Sequence, residues 1–167
     1  MKDQKQLFIV RHGKSSWKYE NIEDFDRHLK EKGIHDVFTM ATRLNKQHVK
    51  PDLMISSPAI RAFHTANIVA RTLDYPLDQI QLQESFYPGT ADEIIQIIKQ
   101  ADDNLNAIMI FGHNPAFTHV ANYFLKEDIE KLPTSGIAKV SLETGSWKNI
   151  DQCPIENISL DYPKKKG

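Results

Sequence analysis

Three apolar runs in this chain each end in residues suited to an oxyanion. Leu7-Phe8-Ile9-Val10 leads into Arg11-His12-Gly13, Leu53-Met54-Ile55-Ser56-Ser57 into Pro58 and Arg61, and Ile108-Met109-Ile110-Phe111 into Gly112-His113-Asn114-Pro115. If the runs are neighbouring parallel strands, two arginines and two histidines remote in sequence meet at one sheet edge, and the chemistry they suit is phosphoryl transfer. An arginine's planar fork matches phosphate oxygens. A neutral imidazole attacks phosphorus through one ring nitrogen when the other holds its proton against a fixed acceptor. The strand-end backbone beside Gly13 supplies such an acceptor to His12, the candidate nucleophile. Neighbouring arginines keep His12 neutral by lowering its pKa, and they attract a dianionic substrate. At about 4 Å from a phosphate charge, each guanidinium contributes about 4 kcal/mol before desolvation, for an effective dielectric near 20. His113 is the candidate hydrogen-bond donor to the same phosphoryl group, and Gly13 and Asn114 join Arg11, Arg61 and His113 as phosphate-binding candidates.

The elements that must position these residues follow from periodicity. The continuous apolar runs read as strands covered on both faces. Lys14 to His28 is polar and reads as a surface loop. Ile34, Val37, Phe38, Ala41 and Leu44 fall at helical spacing, ahead of Lys50-Pro51. Ser57-Pro58 reads as a capped helix start, with Ala62, Ala66, Val69, Ala70 and Leu73 as the buried stripe, and Asn114-Pro115 repeats that start before Phe117, Val120, Ala121, Phe124 and Leu125. Ile80 to Leu82 is a short strand candidate. Thr90 and Glu93 have capping-box spacing ahead of a helix ending near Ala101. Gly136–Leu142 and Ser146–Ile150 read as a hairpin around Glu143-Thr144-Gly145, and Leu160 to Gly167, with Lys164-Lys165-Lys166, as a solvated tail. Alternating strands and helices predict an α/β fold: a three-layer α/β/α sandwich whose sheet is mainly parallel with an antiparallel edge. In such sheets ligands bind beyond the carboxyl ends of the strands, where the following helices also present free N–H groups and the positive ends of their dipoles.

Composition bounds the rest. With 167 residues, 40% hydrophobic and no linker-like segment, one domain spanning 1–167 is expected. Lys+Arg 21 against Asp+Glu 22 leaves a net charge of -1, which gives no reason to expect a nucleic-acid or membrane partner. Cys153 is the single cysteine, excluding an internal disulfide and a cysteine-rich metal site. The four-residue apolar run after Met1-Lys2-Asp3-Gln4-Lys5-Gln6 is too short for a signal-peptide core, so a cytoplasmic location is expected. His28, His35, His48, His64 and His119 are scattered without ligand spacing, and no metal or other cofactor is expected. Trp17 either lines the pocket rim or covers the sheet edge.

Arg11-His12-Gly13, Ser56-Ser57-Pro58 with Arg61-Ala62 and Thr65-Ala66, and Gly112-His113-Asn114-Pro115 together resemble the histidine phosphatase superfamily, the phosphoglycerate-mutase-like fold, over about residues 7–142. Lys14-Ser15-Ser16-Trp17, Asp26-Arg27-His28-Leu29 and Leu132-Pro133-Thr134-Ser135 resemble its SixA-type phosphohistidine phosphatase branch, which carries proline where His28 stands here. The resemblance implies a phosphohistidine intermediate on His12, with Arg11, Arg61 and His113 around the phosphoryl group and Arg27 as a further contact. Glu84 resembles the position at which many members hold a proton donor, a group that SixA-type proteins are thought to lack. The expected activity is that of a metal-independent phosphatase whose substrate is a phosphohistidine-bearing signalling protein. The alternatives are small phosphomonoesters and a module that binds phosphate or phosphohistidine without hydrolysing it.

Overall fold

Side chains alternate across the first strand, β1 (Lys5–Arg11), and that alternation divides the molecule into its layers: Leu7 and Ile9 point to one face of the sheet, Phe8 and Val10 to the other, and all four are buried. In the computed structural model, which describes residues 3–165, β1 is followed by α1 (Glu31–Lys46), β2 (Leu53–Ser56), α2 (Ile60–Thr72), β3 (Gln81–Leu82), α3 (Ala91–Lys99), β4 (Ala107–Gly112), α4 (Ala116–Phe124), β5 (Ile137–Leu142) and β6 (Ile155–Asp161). The sheet order is β3-β2-β4-β1-β5-β6. The first four strands run parallel, and β5 and β6 form an antiparallel edge.

Helices α1 and α2 bury Val37, Met40, Ala41, Leu44, Ala66, Val69 and Ala70 against Phe8, Val10, Met54, Met109 and Phe111. Helices α3 and α4 bury Ile94, Ile95, Ile98, Phe117, Val120 and Phe124 against Leu7, Ile9, Ile55, Ile108 and Ile110. The three layers therefore follow from strands that are apolar on both sides, each face needing its own helical cover. Thr90 caps α3 by accepting from Glu93 N at 3.2 Å, as the spacing predicts.

Several local expectations are corrected. Phe38 is 56% exposed, and Met40 takes its place in the α1 stripe. Helix α2 begins at Ile60, with Ala59 at its N-cap (φ -59, ψ 139). Ser57 therefore does not cap it; its hydroxyl accepts from Ala59 N in the turn before the helix. Pro115 stands at the N-cap of α4, one position before the helix, and Asn114 Oδ1 accepts from Thr118 N. The Asn114–Pro115 and Tyr87–Pro88 bonds are cis.

The hairpin is also different. Trp147–Asn149 forms a 3-10 turn because the Trp147 ring is drawn fully into the core, where its Nε1 donates to the Leu105 carbonyl at 2.7 Å. On the side of β5 away from β1 the pairing strand is β6, so the sheet extends past residue 142. Leu160 lies in β6, and Arg43 holds the chain after it through Asp161 Oδ1 and the Tyr162 and Pro163 carbonyls. Met1, Lys2, Lys166 and Gly167 lie outside the described residues.

Candidate active site

Register alone brings the three motif segments together. Arg11 pairs with Gly112 across β1 and β4, and Ser56 with Phe111 across β2 and β4, so the residues that follow leave the sheet side by side. The backbone continues the alignment: His12 N donates to the Gly112 carbonyl at 3.1 Å, and Ser57 N to the Phe111 carbonyl at 2.9 Å.

His12 is buried with Nδ1 2.6 Å from the Gly13 carbonyl oxygen. A carbonyl only accepts, so Nδ1 carries the proton and Nε2 keeps its lone pair. Gly13 is fixed in turn, its N–H donating to Thr65 Oγ1 at 3.1 Å, while that hydroxyl donates to the Arg61 carbonyl at 2.7 Å. Glycine is required here by close approach: a Cβ would stand 2.8 Å from Val37 Cγ2 and 3.0 Å from the Gly33 carbonyl oxygen. Gly13 thus orients His12 through its backbone and is not a wall of the cavity.

The His113 ring stands 5.2 Å from that of His12, centroid to centroid. Its Nε2 lies 2.7 Å from Ser57 Oγ. Since that oxygen already accepts from Ala59 N, its hydrogen is free to donate to Nε2, an assignment from the hydrogen-bond network that places the His113 proton on Nδ1. Among the described residues, four buried side-chain polar atoms have no hydrogen-bond partner: Arg11 Nε, Arg61 Nε, His113 Nδ1 and Ser135 Oγ. Three of the four belong to residues lining one cavity of about 390 Å³. Leaving a buried donor unpaired costs about 1–3 kcal/mol, so donors unspent around one cavity mark a seat for an acceptor-rich group.

Arg27, Arg61, His12, His113, Arg11 and Asn114 all line this cavity. Asn114 uses its side-chain oxygen on Thr118 and an amide hydrogen on the Leu132 carbonyl, so much of its hydrogen-bonding capacity is structural. Glu84 is exposed at the start of a 3-10 turn and does not line the cavity. Lys14, Ser15, Lys30 and Thr134 also line it: Lys14, Ser15 and Thr134 belong to the segments that carry the SixA-type resemblance, which assigns them no role, and Lys30 has no periodic or motif signal. Trp17 lies on the rim, stacked 3.2 Å over the Arg27 guanidinium. Ser57, read from sequence as a cap, serves His113 instead.

Residues 7–88 match the family model of the histidine phosphatase superfamily (branch 1). The likeness to that superfamily thus spans β1 to the segment before α3. An uncharacterized protein of Mycobacterium tuberculosis is 29% identical over 166 residues, covering 93% of this chain and all of that one. The fold is similar to that of the protein histidine phosphatase SixA complexed with tungstate (TM-score 0.80, 22% identity, 95% of this chain and 97% of that one). It is also similar to phosphoglycerate mutase from Bacillus anthracis (TM-score 0.62, 14% identity, 89% and 96%).

In this geometry, electrostatics decides the protonation state of the two imidazoles. Burial, followed by the charges of Arg61, Arg11 and Arg27, pushes His12 down to about 4 against the opposing hydrogen bond to Gly13. Burial, His12 and Arg61 push His113 down to about 3, with Asp24 opposing. Both rings are therefore neutral at pH 7: His12 offers a lone pair and His113 an N–H, while guanidiniums supply the positive charge. Among the described residues no group of three or more His, Cys, Asp or Glu is arranged to hold a metal ion. Among the described residues, no helix is long and apolar enough to cross a membrane.

Proposed function

We propose that this phosphatase moves a phosphoryl group from phosphohistidine on a protein to His12, and from His12 to water. The observation that carries the reading is the bond from His12 Nδ1 to the Gly13 carbonyl, which fixes the tautomer and leaves Nε2 as the nucleophile. In the first step a bond forms from Nε2 to phosphorus as the bond to the substrate imidazole breaks; that imidazole leaves with its electron pair and takes a proton from solvent water, a proton given back when the attacking water of the second step loses one. In the second step water attacks phosphorus, His12 departs neutral, and inorganic phosphate is released. Arg11, Arg27, Arg61 and His113 Nδ1 surround the equatorial oxygens, where charge is spread during transfer, so positioning and charge stabilisation carry the rate without a resident metal.

Two features favour a phosphorus–nitrogen substrate on a protein. Glu84 stands away from the cavity, and imidazole leaves from phosphorus more readily than an alkoxide, needing less help from a general acid. The 3-10 turn at Glu84–Phe86 reaches α3 through Tyr87-Pro88-Gly89-Thr90 with no inserted cap to enclose a small sugar. The tungstate held by the SixA relative is a tetrahedral oxyanion, as the phosphoryl group is. The lone thiol of Cys153 suits a reducing compartment such as the cytoplasm. Turnover of a phosphohistidine peptide against a panel of sugar phosphates tests the reading: the peptide is expected to have the higher kcat/KM, and preference for the sugars would replace it with a phosphomonoesterase.

A further inference from the structure

Arg61 is buried, yet both terminal nitrogens of its guanidinium are held by one residue of the loop after β1: Nη1 donates to the Asp24 carbonyl at 2.6 Å and Nη2 to Asp24 Oδ2 at 3.0 Å. The other carboxylate oxygen, Oδ1, accepts from Arg27 Nη1 at 2.8 Å. The Tyr87 hydroxyl donates to Oδ2, and the Tyr87 ring meets that of His113 edge-on at 5.2 Å. Arg27 is fixed further by the Ser16 carbonyl, by Ser15 Oγ and by the Trp17 ring. A single carboxylate thus ties together the loop, helix α2 and the segment before α3, and two of its partners are guanidiniums of the phosphoryl cavity.

Charge alone makes this placement unfavourable for binding, because an anion beside the guanidiniums repels a phosphate dianion. What Asp24 contributes is direction. A guanidinium gripped through Nη1 and Nη2 cannot swing, and the edge it leaves unspent includes Nε, the Arg61 nitrogen that is buried without a partner. Order established in the folded protein is not lost again when substrate binds. We propose that Asp24 is a positioning residue of the phosphoryl seat, gripping Arg61 and Arg27 from behind so that their remaining N–H groups meet the transferred group. This rests on reading the cavity as a phosphoryl site, but not on the identity of the leaving group.

The test is calorimetric titration of the full chain with inorganic phosphate, for wild type, Asp24→Ala, Asp24→Asn and Arg61→Ala, and for Asp24→Ala combined with Arg61→Ala. Loss of Asp24 is expected to weaken phosphate binding by about tenfold although it removes a negative charge, and to cost less than about twofold once Arg61 is absent, since coupled residues are not additive. Both variants keep the backbone carbonyl grip, but the neutral, similarly shaped Asp24→Asn also keeps one side-chain acceptor oxygen; it is expected to fall between wild type and Asp24→Ala, and it carries the test if the alanine variant does not fold. Tighter or unchanged phosphate binding in the Asp24 variants, with wild type binding normally, would make the carboxylate a competitor of substrate and overturn the proposal. Equal losses with and without Arg61 would overturn it as well. Wild type that binds no phosphate would instead sink the phosphoryl reading of the cavity, and the role of Asp24 with it.

Discussion

His12 and His113 face each other at 5.2 Å between ring centroids, one with its proton committed to a backbone carbonyl and the other with its Nε2 committed to a serine hydroxyl. Each is thereby left with one functional nitrogen of opposite character, a lone pair on His12 and an N–H on His113.

The pH dependence follows from burial. With His12 at about 4 and His113 at about 3, kcat/KM corrected for substrate ionisation is expected to stay level from pH 7 to about pH 5 and to fall only near pH 4. Stability takes the opposite sign from a histidine that gains an acidic partner. Between the unfolded value near 6.5 and the folded values, the unfolded chain binds more protons, so stability falls as pH drops through that window. Thermal melting from pH 8 to pH 4 checks this. A protein more stable at pH 5 than at pH 7, or a rate lost already at pH 6.5, would mean that the two rings are charged in the fold.

Arg61 is the donor whose loss should be felt most. It is the second residue of α2, buried and held by Asp24, with Nε unspent. Arg61→Ala is expected to lower kcat by about 10²-fold or more, as for removal of one preorganised transition-state donor. Steady-state kinetics on a phosphohistidine peptide checks it, and a loss below about threefold would show that the guanidinium does not meet the transferred group.

Thr65 connects helix α2 to the backbone that orients His12. It is fully buried, accepting from Gly13 N and donating to the Arg61 carbonyl. Thr65→Val keeps the volume but strands the Gly13 N–H, which should cost about 1–3 kcal/mol in denaturant unfolding. It should also lower kcat, because the Gly13 carbonyl that fixes the His12 tautomer is then free to turn. Unchanged stability and rate would remove Thr65 from the account.

The positive charge of the cavity comes from Arg11, Arg27, Arg61, Lys14 and Lys30. Turnover is therefore expected to survive exhaustive treatment with a chelator and not to rise on adding magnesium or zinc. Loss of activity on chelation, restored by one of these ions, would contradict that.

How much of this was legible in the chain depended on whether the signal was local. Arg11, His12 and His113 are readable because each follows a run apolar on both faces, a pattern that places the strand end and hence the side chain. Arg61 follows from the start of its helix. The Thr90 cap rests on a fixed three-residue spacing. The role of Ser57 is not legible because its local reading as a cap competes with a contact to His113, 56 residues away, and the distant contact prevails. Strand β6 is hidden because it is an edge strand with most of its residues exposed, while Ser146–Ile150 reads as a nearer strand although Trp147 is buried from a 3-10 turn. Asp24 lies in a polar loop, where nothing in the sequence distinguishes one acidic residue from Glu20, Glu23 or Asp26; only the folded positions of Arg61 and Tyr87 single it out.

The most direct test of the central claim is rapid-quench mass analysis of the enzyme during turnover of a phosphohistidine peptide, stopped in alkali to preserve phosphorus–nitrogen bonds. One phosphoryl group is expected on the peptide containing His12, absent from His12→Ala, whose phosphate binding is largely retained. Turnover at the wild-type rate by His12→Ala, or a phosphoryl group trapped on His113 in place of His12, would contradict the account.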